Sequence, residues 1–199
     1  NMKVHRNSIL ASAFVLAILF APVIARAEVM RVEISSRQDV LGGKTFGTVG
    51  AYEKLSGKVY FAVDPNNPHN KIIADLDKAP RNAQGKVEFS ADLFILRPKD
   101  ASRGNGVAFF DVVNRGRMGL LGVFDRAKGS TDPMSEAEFG DGLLMREGYT
   151  LVAVGWEFEV RKDRDKNLVG LTAPIATENG KPITGWISPW FIPDKASDS

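Results

Sequence analysis

GVAFFDVVNRG, residues 106–116, and SEAEFGDGLLMREGYTLVAVGW, residues 135–156, decide how this chain is read, because in order they spell strand, loop, helix and strand. Val107, Ala108, Phe109, Phe110, Val112 and Val113 make a nearly continuous apolar run, the pattern of a strand covered on both faces, and Leu151 to Val154 make another. Between them, Pro133 precedes Ser135, a predicted N-cap to which Glu138 reaches back in a capping box, and Gly148 is placed to end the helix. Phe139, Leu143 and Leu144 then face the sheet. Gly140 and Gly142 oppose this helix, since each costs about 1 kcal/mol against alanine in a helix interior. A strand, a crossover and a second strand predict a parallel pair.

Upstream the pattern is one of strands and turns. Val32 and Ile34 sit in a short first strand, and Gly42-Gly43 makes a turn. Val59, Phe61 and Val63 alternate with Tyr60, Ala62 and Asp64 before the dense turn signal Asp64-Pro65-Asn66-Asn67-Pro68. The cleanest alternation sets Val87, Phe89, Ala91, Leu93 and Ile95 on one face and Glu88, Ser90 and Asp92 on the other, as in an antiparallel strand with one wet side. Arg97-Pro98 closes it. After Lys99 the strands become two-sided, which places a soft boundary near residue 100 between a β-rich segment (28–100) and a first βαβ part (101–199). Past Trp156, residues 161–166 read as a solvated turn, and 168–175 and 183–192 as two short strands. No internal repeat or low-complexity segment occurs.

Four of these segments carry a family resemblance. VGAYEKLSGKVYFAVDP (49–65), APRNAQGKVEFSADLFILRP (79–98), GNGVAFFDVVNRG (104–116) and GLLMREGYTLVAVGW (142–156) resemble the N-terminal region of a family of large secreted alpha/beta hydrolase domain-containing proteins. The resemblance runs over about residues 30–192 and is specific only in combination. It implies an α/β fold in which N-terminal antiparallel strands lead into the start of an α/β-hydrolase-type sheet, incomplete here. It also implies a nucleophile elbow, acid and histidine downstream, and a small-molecule ester substrate for the complete protein.

The first 27 residues read as a secretory signal peptide: Lys3 and Arg6 supply a positive start, residues 9–24 an apolar stretch, and Ala25-Arg26-Ala27 a small-residue cleavage site. Ser12 and Pro22 interrupt a run already short for a membrane span, which needs about 20 apolar residues. The chain is thus expected to be exported, periplasmic or extracellular, without a stable membrane anchor. Losing Lys3, Arg6 and Arg26 takes 26 basic residues to 23 against 24 acidic ones. The basic balance belongs to the signal peptide and gives no support for nucleic-acid binding, which shows a basic stripe or patch. With no cysteine, an exported chain is held by its core alone.

Chemistry is sparse. A serine hydrolase needs a nucleophile on a sharp turn, a histidine and a carboxylate to orient it. Gly-X-Ser-X-Gly is missing, and Ser56 and Ser90 lie in a predicted turn or strand rather than between a strand and a helix. His69, the one histidine left after residue 27, falls in the turn NNPHN and reads as a surface residue. Zinc sites draw three or four ligands from Cys, His and carboxylates, and with no cysteine and one histidine after residue 27 the carboxylates would have to do everything. Asp75 and Asp77 invite a calcium reading, but Pro80 stands where an EF-hand loop needs its glycine. Gly104-Asn105-Gly106 is a turn feeding the next strand rather than a phosphate loop. No metal and no cofactor is expected.

The candidate functional feature is the long loop opening with Asn114, Arg115 and Gly116. In α/β-hydrolases the loop after the corresponding strand gives a backbone N–H to the oxyanion hole; a plain turn after a strand uses the same glycine geometry. Trp156, Trp186 and Trp190 suggest a second class, a secreted module that binds a sugar or another apolar-faced ligand, although tryptophans more often pack in cores. The expectation is therefore the exported N-terminal part of an ester hydrolase of serine type, lacking its nucleophile elbow and inactive alone. The alternative is a secreted β-rich binding or structural module without catalysis.

Overall fold

The alternating runs read from the sequence form the centre of the computed structural model, which describes residues 28–186. The signal-peptide reading, Trp190 and most of the strand expected over 183–192 lie outside the described residues.

Two long strands, β3 (Gly50–Val63) and β4 (Val87–Pro98), pair antiparallel without a register break from Tyr52↔Pro98 to Val63↔Val87. β1 (Glu28–Asp39) pairs β3 on its far side, with register shifts at Met30 and Ser35, and β2 (Thr45–Phe46) folds back onto the start of β3. Gly57 serves the second shift: a Cβ there would stand 2.0 Å from the Glu33 carbonyl oxygen. On the other side of β4 come β6 (Thr150–Val154) and then β5 (Ala108–Asp111), giving the order β1-β3-β4-β6-β5. β7 (Leu171–Thr172) pairs the early part of β4, and β8 (Thr177–Glu178) with β9 (Lys181–Pro182) makes a separate small hairpin.

The expected α/β architecture is corrected. The sheet is a seven-stranded mixed sheet in a mostly β structure, and the helices α1 (Leu120–Phe124), α2 (Glu136–Phe139) and α3 (Leu143–Arg146) are one turn each. β5 and β6 do run parallel, as the crossover predicts, but they are the one parallel pair among the described strands. The helix expected between them breaks where its glycines lie. Gly140 (φ 64) and Gly142 (φ 68) take left-handed backbone, and a Cβ on Gly140 would stand 1.9 Å from the Asp125 carbonyl oxygen. The chain there is turned to let residues 125–127 pass, which continuous helix forbids. Among the described residues, no helical layer therefore covers the sheet in the way an α/β-hydrolase requires.

The same lack of cover changes β5. Its apolar run, read as covered on both faces, forms a strand of four residues at the sheet edge, with Val107, Phe110 and Val112 more than half exposed. β4 departs from simple alternation too: Val87, Ala91 and Leu93 are buried on one face, and Phe94 and Leu96 on the other. The second face is covered where the chain from 118 to 145 lies over it. Its core joins Tyr52, Phe94, Leu96, Val113, Phe139, Leu144, Met145, Leu151 and Ala153. Tyr52 is fully buried, and its hydroxyl donates to the Tyr149 carbonyl at 3.0 Å. Burial, and then the nearby Asp125 charge, push that hydroxyl far above the ordinary tyrosine range.

The turns follow their chemistry. Asp64 Oδ1 accepts from Asn66 N–H at 2.8 Å, and the Asp64 carbonyl from Asn67 N–H, so the Pro/Asn cluster turns as read. At α2, Glu138 Oε2 accepts from Met134 N, Ser135 N and Ser135 Oγ at 3.0, 2.9 and 2.8 Å, which holds its carboxyl down at about 2. Buried Glu53 binds Arg37 of β1 at 2.6 Å and Arg97 of β4 at 2.7 Å, tying three strands together.

Gly140→Ala forces a Cβ into a backbone oxygen in a left-handed conformation. It is expected to cost about 3 kcal/mol and to lower Tm by roughly 6–12 °C. Thermal melts of both proteins by circular dichroism check this; an unchanged Tm would mean that residues 125–127 do not pass Gly140 closely.

Candidate ligand-binding cleft

Where β4 becomes two-sided, an apolar cleft of about 250 Å³ opens over the sheet. Its floor is made by directly paired residues, Phe94 with Ala153 and Leu96 with Leu151. Its wall is the segment Met118 to Gly122, which includes the first turn of α1. Asp111, at the end of β5, positions that wall: its Oδ2 accepts from Gly119 N at 2.7 Å and Leu120 N at 3.2 Å. Lys128, Ser130, Pro133 and Glu138 complete the lining. Glu138 is held by its three hydrogen bonds, so the charges at the mouth belong to groups engaged elsewhere, apart from the exposed Lys128. The arrangement suits a small apolar group more than a charged one.

The candidate loop lies elsewhere. Asn114 and Arg117 exchange backbone hydrogen bonds at 3.3 and 3.0 Å, so Arg115 (φ 52) and Gly116 (φ 76) are the two left-handed residues of a tight hairpin turn. The N–H groups of Asn114 and Arg117 are spent inside the turn. The Gly116 carbonyl accepts from Val169 N at 2.9 Å, and a Cβ on Gly116 would meet Val160 Cγ1 at 2.8 Å. Arg115 reaches Glu159 at 3.6 Å with both side chains exposed. The structure thus sets Arg115 and Gly116 against residues 159–169 with Asn114 closing their turn, and none of the three lines the apolar cleft.

The remaining candidates are dispersed. His69 is exposed on its turn, its backbone N–H donating to Asn67 Oδ1. Ser56 and Ser90 lie within β3 and β4, and Asp75 pairs with Lys78 at 3.7 Å. Among the described residues no group of three or more His, Cys, Asp or Glu is arranged to hold a metal ion. Asn105 makes the expected turn, accepting from Val107 N at 2.8 Å and donating to the Glu147 carbonyl at 2.7 Å. Trp156 donates its indole N–H to the Val113 carbonyl at 2.6 Å with its ring more than half exposed, and Trp186 is fully exposed.

A second, polar cleft of about 490 Å³ lies on the opposite side of β4, over β1 and β3. Asp92 organises it, binding Lys58 at 2.9 Å, Gly170 N at 2.8 Å and Lys162. Burial alone would raise the Asp92 carboxyl, but these partners outweigh it and hold the group below the usual carboxylate range. All its oxygens are occupied, so it clamps the 162–170 segment to the sheet. Compared with known protein families, characterised proteins and solved structures, the chain matches none.

Gly116→Ala tests what the hairpin turn is for. If the glycine serves packing against Val160 and Leu168, the substitution lowers stability by about 2 kcal/mol. Urea unfolding should show a lower midpoint at constant slope, and ligand uptake by the folded fraction should stay unchanged.

Proposed function

We propose that residues 28–186 form a non-catalytic domain that holds a small apolar ligand, an ester or its acyl part, in the cleft between β4, β6 and the Met118–Gly122 wall. The observation that carries this reading is the apolar cleft of about 250 Å³ above the buried floor residues Phe94, Leu96, Leu151 and Ala153, walled by a segment that Asp111 anchors. Each methylene buried there contributes about 0.8 kcal/mol, enough for a short acyl chain to bind without a charged anchor. Acting on an ester would need a nucleophile and base from elsewhere, since the described histidine stands on an exposed turn.

One observation favours a second reading, in which this domain is the front part of an exported ester hydrolase. β5 is the edge strand of the sheet among the described strands, paired on one side with parallel β6, and Val107, Phe110, Val112, Phe124 and Trp156 are exposed around it. A further strand supplied by a catalytic part would cover them. The two readings differ in behaviour: a stand-alone module is monomeric and melts cooperatively, whereas a domain separated from its partner part associates through this edge.

Binding of the uncharged fluorophore N-phenyl-1-naphthylamine checks the cleft. The protein should enhance its emission saturably, and Leu120→Asp, which places a charge on the wall, should weaken binding at least about tenfold. Equal binding by both proteins, with the variant's circular dichroism unchanged, would place the dye elsewhere and remove the reading. Short-chain nitrophenyl esters should compete with the dye without being hydrolysed.

A further inference from the structure

Asp125 is fully buried, a rare condition for a carboxylate. It follows α1, and three bonds fix it between segments. Its N–H donates to the Leu121 carbonyl at 2.9 Å, its carbonyl accepts from Asp141 N at 2.8 Å, and its Oδ1 accepts from Leu144 N at 3.0 Å. Its Oδ2 has no hydrogen-bond partner. One residue thus ties the helix that walls the cleft to the Gly140–Leu144 turn through its backbone, and to α3 through its carboxylate. An ionised carboxylate there would carry a charge with one oxygen unsolvated, a strained state unless the group takes up a proton or reaches water.

The charged and titratable neighbours do not relieve it. Tyr52 approaches from β3, but its hydroxyl proton is committed to the Tyr149 carbonyl. Asp141 adds a like charge from the turn, and Arg146 of α3 opposes it while its guanidinium is engaged with the Asp141 carbonyl. Arg126, next in the chain, is exposed. Burial dominates, so the Asp125 carboxyl is pushed above the usual carboxylate range despite the Leu144 N–H.

We propose that Asp125 is a proton-controlled latch on the cleft wall: protonated, it holds α1 down on the Gly140–Leu144 turn, and ionised, it releases the wall and opens the cleft. The sign follows from linkage. A carboxyl raised in the closed state contributes stability that is fully present below its unfolded value, about 3.9. That contribution is lost as pH rises through the raised value. The closed wall is therefore the acid form, and it loosens as pH rises from the ordinary carboxylate range to the raised value. The inference rests on the cleft reading only for what opening exposes; the latch itself is a property of α1 and its neighbours.

Amide hydrogen exchange by mass spectrometry on the full chain, without ligand, tests it between pH 4 and 8 with rates normalised to intrinsic exchange. Peptides covering 118–125 and 141–145 should lose protection by up to about tenfold per pH unit until the raised value is passed. Peptides from the centre of β3 should not change. Asp125→Asn keeps the acceptor for Leu144 N but cannot ionise, and should remain protected across the range. Flat exchange in the wild type, or the same loss in Asp125→Asn, overturns the latch. Should Asp125→Asn fail to melt cooperatively, a carbon-13 carboxyl titration of the wild type decides. An Asp125 transition above the carboxylate range, mirrored by the Leu144 amide, supports the latch, and an ordinary value overturns it. Naphthylamine binding is then read separately: a pH-dependent wall with no dye uptake at any pH retires the ligand reading alone.

Discussion

Everything described here hangs on the pairing of β3 with β4. Twelve residue pairs, from Tyr52↔Pro98 to Val63↔Val87, run without a bulge. β1 and β2 reach the sheet only through β3, and β6 and β7 only through β4. Register in such a ladder is enforced by burial, because a slip of one residue would exchange the buried set for the solvated one on both strands. Glu53 adds a second check, since its carboxylate meets Arg97 directly across and Arg37 on the diagonal only in this register.

β4 changes character along its length, and the cleft lies at the change. Near Ala91 it has one buried face, with β7 and the Asp92 clamp beside it; near Leu96 it is buried on both. The first part needs only a short flanking strand. The second needs a cover for its other face, and the covering chain is too broken by glycines to supply a full helix. What it supplies is three single turns and the space between them. The apolar cleft is thus a product of incomplete cover, and Asp111 and Asp125 help keep the cover in place, together with Asp132, which pairs with buried Lys54 of β3.

Much of this was legible in the residues. Alternation located β3 and β4, and the crossover order gave the parallel β5/β6 pair, because both follow from side-chain periodicity and connection length. Gly140 and Gly142 were visible as objections to the helix. Their decisive effect came from a neighbour distant in sequence, the Asp125 carbonyl, and no local pattern reveals that. The apolar run at residues 107–113 resembles a doubly covered strand because composition reports hydrophobicity and not which neighbours are present. The family resemblance points to the loop after the strand, at Asn114-Arg115-Gly116, as the functional one. The cleft instead uses the next stretch, GLLGVF, whose apolar residues directly after a polar turn were the available signal, together with Asp111 closing the preceding run.

β1 stands apart from this arrangement. It pairs with β3 through ten residue pairs, yet all of its residues except Ser36 are exposed, and two register shifts interrupt it. Its attachment is ladder hydrogen bonds, ion pairs of Glu28, Arg37 and Asp39, and the Arg31 guanidinium over the Tyr60 ring, with little apolar surface to hold it. The sheet therefore has a hem that can be unpicked and resewn while the β3–β4 seam stays closed. A pull at Glu28 would be absorbed by that hem first, leaving the cleft on the other side of β4 mechanically insulated from it.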